Sequence, residues 1–384
     1  MKIIFFCVAL CALAVADIKV NEALFHLSLN LLDKNETQIN SPFSVALALA
    51  TINEGVTDDV SQEITDKAFQ SLNKEIVNAW FKNKITLFKD QGPHIAIAAA
   101  NFVQKGLKVS PTYLKSIQAL FQCPTQEVDF RGHPEAQVSQ INKFVSNATQ
   151  GHINQLVTRL PRQTTFVNVN ALFTELSFKS QFWKQDTKEA DFYNEDGSVR
   201  KVEMMKKEES ALFSENAEFA FLGANLNYDG GSPMNFVFEY TFFVIVPKNQ
   251  TLESLKNQLT FNGSFSKLYQ AAGRRKVDYA FPKFKAESSV NVKEKLEKLG
   301  IKKVFEAGAD LSGIAEGVGH LDGIIHKAMI DVNEKGVTAA AASMSSMMFL
   351  SANYATDIPV FRADRPFLYG IVHEGLPLFV GQVY

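Results

Sequence analysis

Helical periodicity fills the first part of this chain and strand periodicity the last, and the two do not alternate. Leu24, Leu27 and Leu31 recur at helical spacing. In "SPFSVALALATINEG", Ser41 stands as an N-cap, Pro42 at the first helical position and Gly55 as the stop. "HPEAQVSQINKFVSNATQG" reads as a further helix ending at Gly151. Beyond it, "TFFVIVP" is a continuous apolar run closed by Pro247, the pattern of a strand covered on both faces. "RKVDYAFPKF" alternates, with Val277, Tyr279 and Phe281 on one side. "NVKEKLEKLG" predicts a helix with Val292, Leu296 and Leu299 inward, a Glu294–Lys298 pair and Gly300 as its cap. The final "PFLYGIVHEGLPLFVGQVY" predicts an antiparallel hairpin turning near Glu374-Gly375. A doubly wound sheet needs strand and helix in alternation, so this order indicates α+β.

No repeat, low-complexity tract or long linker interrupts residues 17–384, which are read as one domain. Of the 384 residues 46% are apolar and 21% charged, which excludes disorder. A net charge of −2, with Arg274-Arg275-Lys276 as the longest basic cluster, argues against a nucleic-acid partner. Lys2, an apolar run of 14 residues and the Ala14-Val15-Ala16 pattern predict a signal peptide over residues 1–16, hence a secreted protein. No later apolar run is long enough to predict a membrane span. Cys7 and Cys11 would leave with the signal. Cys123 then stands alone, either a buried small hydrophobe or a reactive thiol, with no intramolecular disulfide. Asn35, Asn147, Asn249 and Asn262 head Asn-x-Ser/Thr glycosylation motifs.

The catalytic templates fail. There is no G-x-S-x-G elbow, no H-E-x-x-H and no P-loop. "GVGHLDG" is one residue too long for G-x-G-x-x-G, and "DFYNEDG" has its glycine one place late for a calcium loop. The chain is not read as an enzyme, and no cofactor or metal is expected. What needs explaining is "NEKGVTAAAASMSSMMFLSANYATDIPVF". Its tiny residues suit a helical turn or an irregular loop. Read with period 2, Val337, Ala339, Ala341 and Ser343 instead share one face, so the segment could slide between strands with little steric resistance.

"HKAMIDVNEKGVTAAAAS" resembles the hinge of the serpins, and "FRADRPFLYGIVHEGLPLFVGQV" their C-terminal signature. "INSPFSVALALA", "AAANFVQKGLKV", "INKFVSNATQGHI", "TKEADF" and "FPKFKAESSVNVKEKLEKLGIKKVF" follow in serpin order. The resemblance implies three β-sheets, about nine helices and an exposed reactive loop at about residues 334–360. It implies a hinge of Glu334, Gly336, Val337, Thr338, Ala339, Ala340, Ala341, Ala342 and Ser343. The reactive bond would lie sixteen residues past Glu334, between Leu350 and Ser351, with Met347, Met348 and Phe349 facing the neighbouring subsites. Leu350 suits the apolar pocket of a chymotrypsin- or elastase-like protease. Such a protease would be the partner, held as a covalent acyl complex. Ser41, Ser44, Asn170 and His326 match the polar shutter beneath the main sheet. A monomer is implied, with loop-sheet polymers as its failure mode.

Two departures stand out. Val337 replaces the usual Thr or Ser, and Phe182 stands at a Phe-Lys-Gly-x-Trp motif, with Trp183 displaced by one. A non-inhibitory carrier, storage protein or chaperone, or an inhibitor of cysteine proteases, is the alternative reading.

Overall fold

The small side chains of "PFSVALALATIN" form a helix that is buried at every position from Pro42 to Asn53. The Ser41 hydroxyl caps it, accepting the Ser44 amide at 3.2 Å, and Pro42 occupies the first turn, where no amide partner is needed. Gly55 follows for a different reason than helix termination. A Cβ there would lie 2.4 Å from Ile314 Cγ1, so the glycine is required by close packing.

The computed structural model describes residues 2–90, 94–227, 240–261, 265–337 and 358–384. Helix α1 (Lys2–Leu31), strand β1 (Gln38–Asn40) and helices α2 (Pro42–Asn53), α3 (Asp58–Ala68) and α4 (Lys74–Asp90) come first. Strands β2 (Ile95–Gln104) and β3 (Lys108–Val109) lead to α5 (Pro111–Phe121), β4 (Thr125–Val128) and α6 (Pro134–Ala148). Then come β5 (Phe166–Thr174), β6 (Leu176–Phe178), β7 (Lys188–Tyr193), β8 (Val199–Glu215), β9 (Phe219–Asn227) and β10 (Tyr240–Pro247). Helices α7 (Leu252–Phe261) and α8 (Phe265–Ala271), strands β11 (Gly273–Pro282) and β12 (Phe284–Asn291) and helix α9 (Lys293–Leu299) follow. The chain ends through β13 (Ala315–Glu316), β14 (Gly323–Val332), β15 (Gly336–Val337), β16 (Val360–Arg362), β17 (Phe367–His373) and β18 (Leu376–Val383). Nine α-helices among the described residues match the expected number, and the class is α+β.

Two compact units divide the chain. The first comprises Met1–Leu31, Asn40–Phe173 and Ser288–Ala328. Its core is α2 with the aromatic side of α4, where Phe43 meets Phe81 and Phe88 at 5.4 Å and Trp80 at 6.1 Å. Each such buried ring contributes about 1.5–3 kcal/mol. Here β5 pairs in parallel with the start of β14, from Gly323 opposite Val167 to Lys327 opposite Ala171. On α9 the ion pair is Lys293–Glu297 at 4.0 Å, not the expected Glu294–Lys298, and Leu299 is only half-buried. Gly300 does cap it, at φ +100°.

The second unit comprises Leu32–Ile39, Thr174–Glu287 and Met329–Tyr384. In it β9, β10, β17 and β18 form an antiparallel ladder, with β10 buried throughout as its apolar run predicts and β17 and β18 buried throughout as well, His373 and Gln382 included. Glu374 (φ +49°) and Gly375 (φ +84°) make the expected tight turn between β17 and β18. Strands β7, β8, β11 and β16 form a second ladder. The "DFYNEDG" stretch is the end of β7 followed by the tip before β8, with Gly197 at φ +83° and the Asp196 carboxylate accepting from Ser198.

Candidate functional site: the hinge and the shutter

The hinge lies in the second unit. Strand β14 ends at Val332, and "NEKG" reverses the chain in four residues. The Asn333 amide donates to the Gly336 carbonyl at 3.0 Å, the Gly336 amide donates back at 3.2 Å, and the Asn333 side chain accepts the Lys335 amide at 3.0 Å. That turn aims β15 antiparallel to both of its neighbours. Val337 sits opposite Val332 of β14 and Leu176 of β6, with Gly336 opposite Ser177. Two hinge residues are therefore already strand. A Cβ on Gly336 would lie 2.3 Å from the Leu176 carbonyl oxygen, so this glycine serves close strand approach and not an unusual backbone angle. Val337 is fully buried; its apolar contribution is present before any further insertion.

Glu334 anchors the turn. Its carboxylate accepts the Thr187 hydroxyl at 3.0 Å and faces the Lys283 ammonium at 3.4 Å, and Lys283 also lies 3.4 Å from Glu203. Burial alone would raise the Glu334 pKa. Hydrogen bonds from its own amide and from Thr187, with the Lys283 charge, bring it below its ordinary value. The backbone is held too. Phe182 donates its amide to the Glu334 carbonyl and Phe178 to the Lys335 carbonyl, each at 2.9 Å. Phe182 fills an aromatic pocket made by Phe178, Tyr279 and Phe281 at 5.2–5.8 Å, whereas Trp183 is half exposed. The displaced tryptophan thus does not occupy that pocket; Phe182 does.

The shutter lies in the first unit, and the structure brings its four predicted residues together. The His326 Nε2 accepts the Ser41 amide at 3.0 Å, which places the ring proton on Nδ1, 2.8 Å from Asn170 Oδ1. The Ser44 hydroxyl donates to the same oxygen at 2.8 Å. All four residues are fully buried. Burial drives the His326 pKa down to about 3, so the ring is neutral. The register places His326 directly opposite Asn170, so the network clasps β5 to β14.

The chain of polar groups continues farther than the sequence reading reached. Asn170 donates to Asn168 (3.2 Å), Asn168 to Asn101 (2.8 Å), Asn101 to the Tyr113 hydroxyl (3.0 Å), and that hydroxyl to the Thr51 carbonyl (3.2 Å). Sequence reasoning also missed Thr187 and Lys283. Thr187 and Lys283 stand in "TKEADF" and "FPKF", which carry the resemblance by their order along the chain and not by their side chains.

Cys123 is buried with its thiol pushed up to about 12, which leaves the small-hydrophobe reading and removes the reactive one. Asn35, Asn147 and Asn249 are exposed. Thr338, Ala339, Ala340, Ala341, Ala342, Ser343, Met347, Met348, Phe349, Leu350, Ser351 and Asn262 lie outside the described residues.

A family model described as serpin (serine protease inhibitor) matches residues 22–384. Intracellular coagulation inhibitor 2 of Tachypleus tridentatus is 31% identical over 374 residues, covering 95% of this chain and 89% of that protein. The native-state crystal structure of the thermophilic serpin tengpin superposes with a TM-score of 0.81 at 24% identity, covering 96% of this chain and 92% of that one. A thyroxine-binding globulin complexed with thyroxine shares the fold with a TM-score of 0.80 at 22% identity, covering 95% and 98%. With the family match spanning nearly all of its length, the chain belongs to the serpin family.

Proposed function

We propose that this serpin is a suicide-substrate inhibitor of chymotrypsin- or elastase-like serine proteases. One observation carries the reading: Gly336 and Val337 already lie as a strand between β14 and β6, antiparallel to both, and a tract of small residues follows them. The protease serine attacks the Leu350 carbonyl, the Leu350–Ser351 bond breaks, and Ser351 leaves as a new amino terminus that takes up a proton. The freed segment then lengthens β15. About ten further ladder hydrogen bonds, at roughly 0.5–1.5 kcal/mol each, supply on the order of 10 kcal/mol. That exceeds the few kcal/mol that keep an active site in register, so the tethered acyl-enzyme is trapped before it hydrolyses.

Secretion belongs to the same proposal, with residues 1–16 removed and glycans on the asparagines of the four motifs, Asn35, Asn147, Asn249 and Asn262. Val20 is the first core side chain among the described residues of α1, so cleavage after Ala16 spares every core position described there. The likeness to thyroxine-binding globulin concerns the fold alone and keeps a non-inhibitory reading as the competitor.

Mixing the protein with chymotrypsin and running a denaturing gel separates the two. An SDS-stable adduct that disappears in Leu350→Asp supports inhibition. Clean cleavage with active protease left over sinks it. The same gel with a cysteine protease tests the cross-class alternative.

A further inference from the structure

Segment 178–182 supplies both backbone donors that hold the hinge carbonyls. Its first half is tied to β9, where Phe178 is paired and the Lys179 amide donates to the Asn225 carbonyl at 3.0 Å, and the Phe182 ring is packed at its other end, with exposed Ser180 between them. A further hold acts at Ser180. The Lys207 ammonium, on β8, donates to the Ser180 carbonyl and lies 5.4 Å from the centre of the Phe182 ring. Its side chain is only 11% exposed, so water offers it little alternative. Glu209, two residues along the same face of β8, pairs with it at 2.9 Å. The Tyr279 hydroxyl donates to Glu209 at 2.5 Å, and Tyr279 is the cross-strand neighbour of Lys207 in the β8–β11 ladder. The Tyr279 ring also packs edge-on against Phe182 at 5.8 Å. A desolvated cation is thus fastened to a firm two-strand base, with one carboxylate and one hydroxyl setting its direction, and it grips the middle of the segment whose ends hold the hinge.

We propose that Lys207, oriented by Glu209 and Tyr279, is a positioning residue: it latches segment 178–182 against the Glu334 and Lys335 carbonyls and so governs how readily β15 is lengthened. The second half of this statement rests on the insertion reading above; the first does not. The latch acts through backbone position alone and touches neither the protease nor the reactive bond.

Hydrogen exchange on the full-length protein tests the first half. In Lys207→Met, which keeps the length of the side chain and removes its charge, amides of the peptide spanning Phe178 and Phe182 should exchange about tenfold faster. Lys207→Arg should restore protection to within about twofold, because it keeps the charge-assisted bond. Unchanged exchange in Lys207→Met overturns the proposal. So does acceleration that is equal in the β10 peptide, since that would mean general destabilisation. For the second half, uncleaved Lys207→Met incubated at 45 °C should lose its capacity to trap chymotrypsin about fivefold faster than the parent protein. An equal rate overturns that half. If the parent forms no adduct at all, the inhibitory reading fails while the exchange result still judges the latch.

Discussion

At the shutter, Ser41, Ser44, Asn170 and His326 exchange hydrogen bonds with no formal charge and no exposed surface. At the hinge, Glu334 and Lys283 hold one another as ions, and Lys283 keeps 28% of its side chain in solvent. Two regions of one serpin fold are therefore held by different chemistry. The shutter depends on a neutral imidazole in a dry place and is indifferent to salt. The hinge depends on charges that salt can screen but that moderate acid does not touch. Reagents that affect one should spare the other.

The largest expected effect comes from removing the shutter's central group. His326→Ala leaves the Ser41 amide without its acceptor and opens a cavity, which should cost about 3 kcal/mol. Thermal unfolding would register it, and native gels after mild heating should show loop-sheet polymers. An unchanged monomer would refute the role.

Acid should produce the next largest change. His326 has a folded pKa of about 3, below the ordinary 6.5, so its contribution is complete above pH 6.5 and declines as pH falls toward 3, because only the unfolded chain takes up the proton. From pH 7 to pH 5 that loss is about 2 kcal/mol. His94, held down to about 4 by burial, adds in the same direction. The informative quantity is therefore the difference between the parent and His326→Gln in urea unfolding at the two pH values. Glu334 has a depressed pKa and keeps its charge through this window, so the hinge should not respond.

The smallest of the three is at the hinge. Lys283→Ala should cost about 1 kcal/mol at low salt. In 1 M salt, where the screening length falls to about 3 Å, the difference should shrink measurably, less than for a fully exposed pair because Glu334 is buried. Equal salt sensitivity of His326→Ala and Lys283→Ala would erase the distinction between the two regions.

The sequence names Ser41, Ser44, Asn170 and His326 only through likeness to a family, and it does not reach Asn168, Asn101, Tyr113 or Thr51 in the same network. No local pattern joins Ser41, Asn170 and His326, which are brought together when β5 pairs with β14. The helix boundaries around Pro42 and Gly300 and the turn at Glu374-Gly375 were legible because caps and left-handed glycines act within a few residues. On α9 the expected Glu294–Lys298 pair consists of two exposed side chains that water solvates, while the less exposed Lys293 and Glu297 lie within ion-pair distance. Gly55 stops no helix by its own torsion, and Gly336 needs no positive φ. Their constraint is the strand or side chain facing them, not their own torsion.

What the amino-acid order determined by itself was the succession of helices and strands, the caps, the buried character of β10, the hairpin of β17 and β18, and the presence of a tract too small to resist entry between strands. These depend on interactions spanning a few residues. The tertiary structure alone decided that Val337 is already buried, that Phe182 and not Trp183 fills the aromatic pocket, and that Lys207 reaches the carbonyl of Ser180. Each of those is a contact between segments distant in the chain, where burial and the competition for partners, not the local pattern, set the outcome.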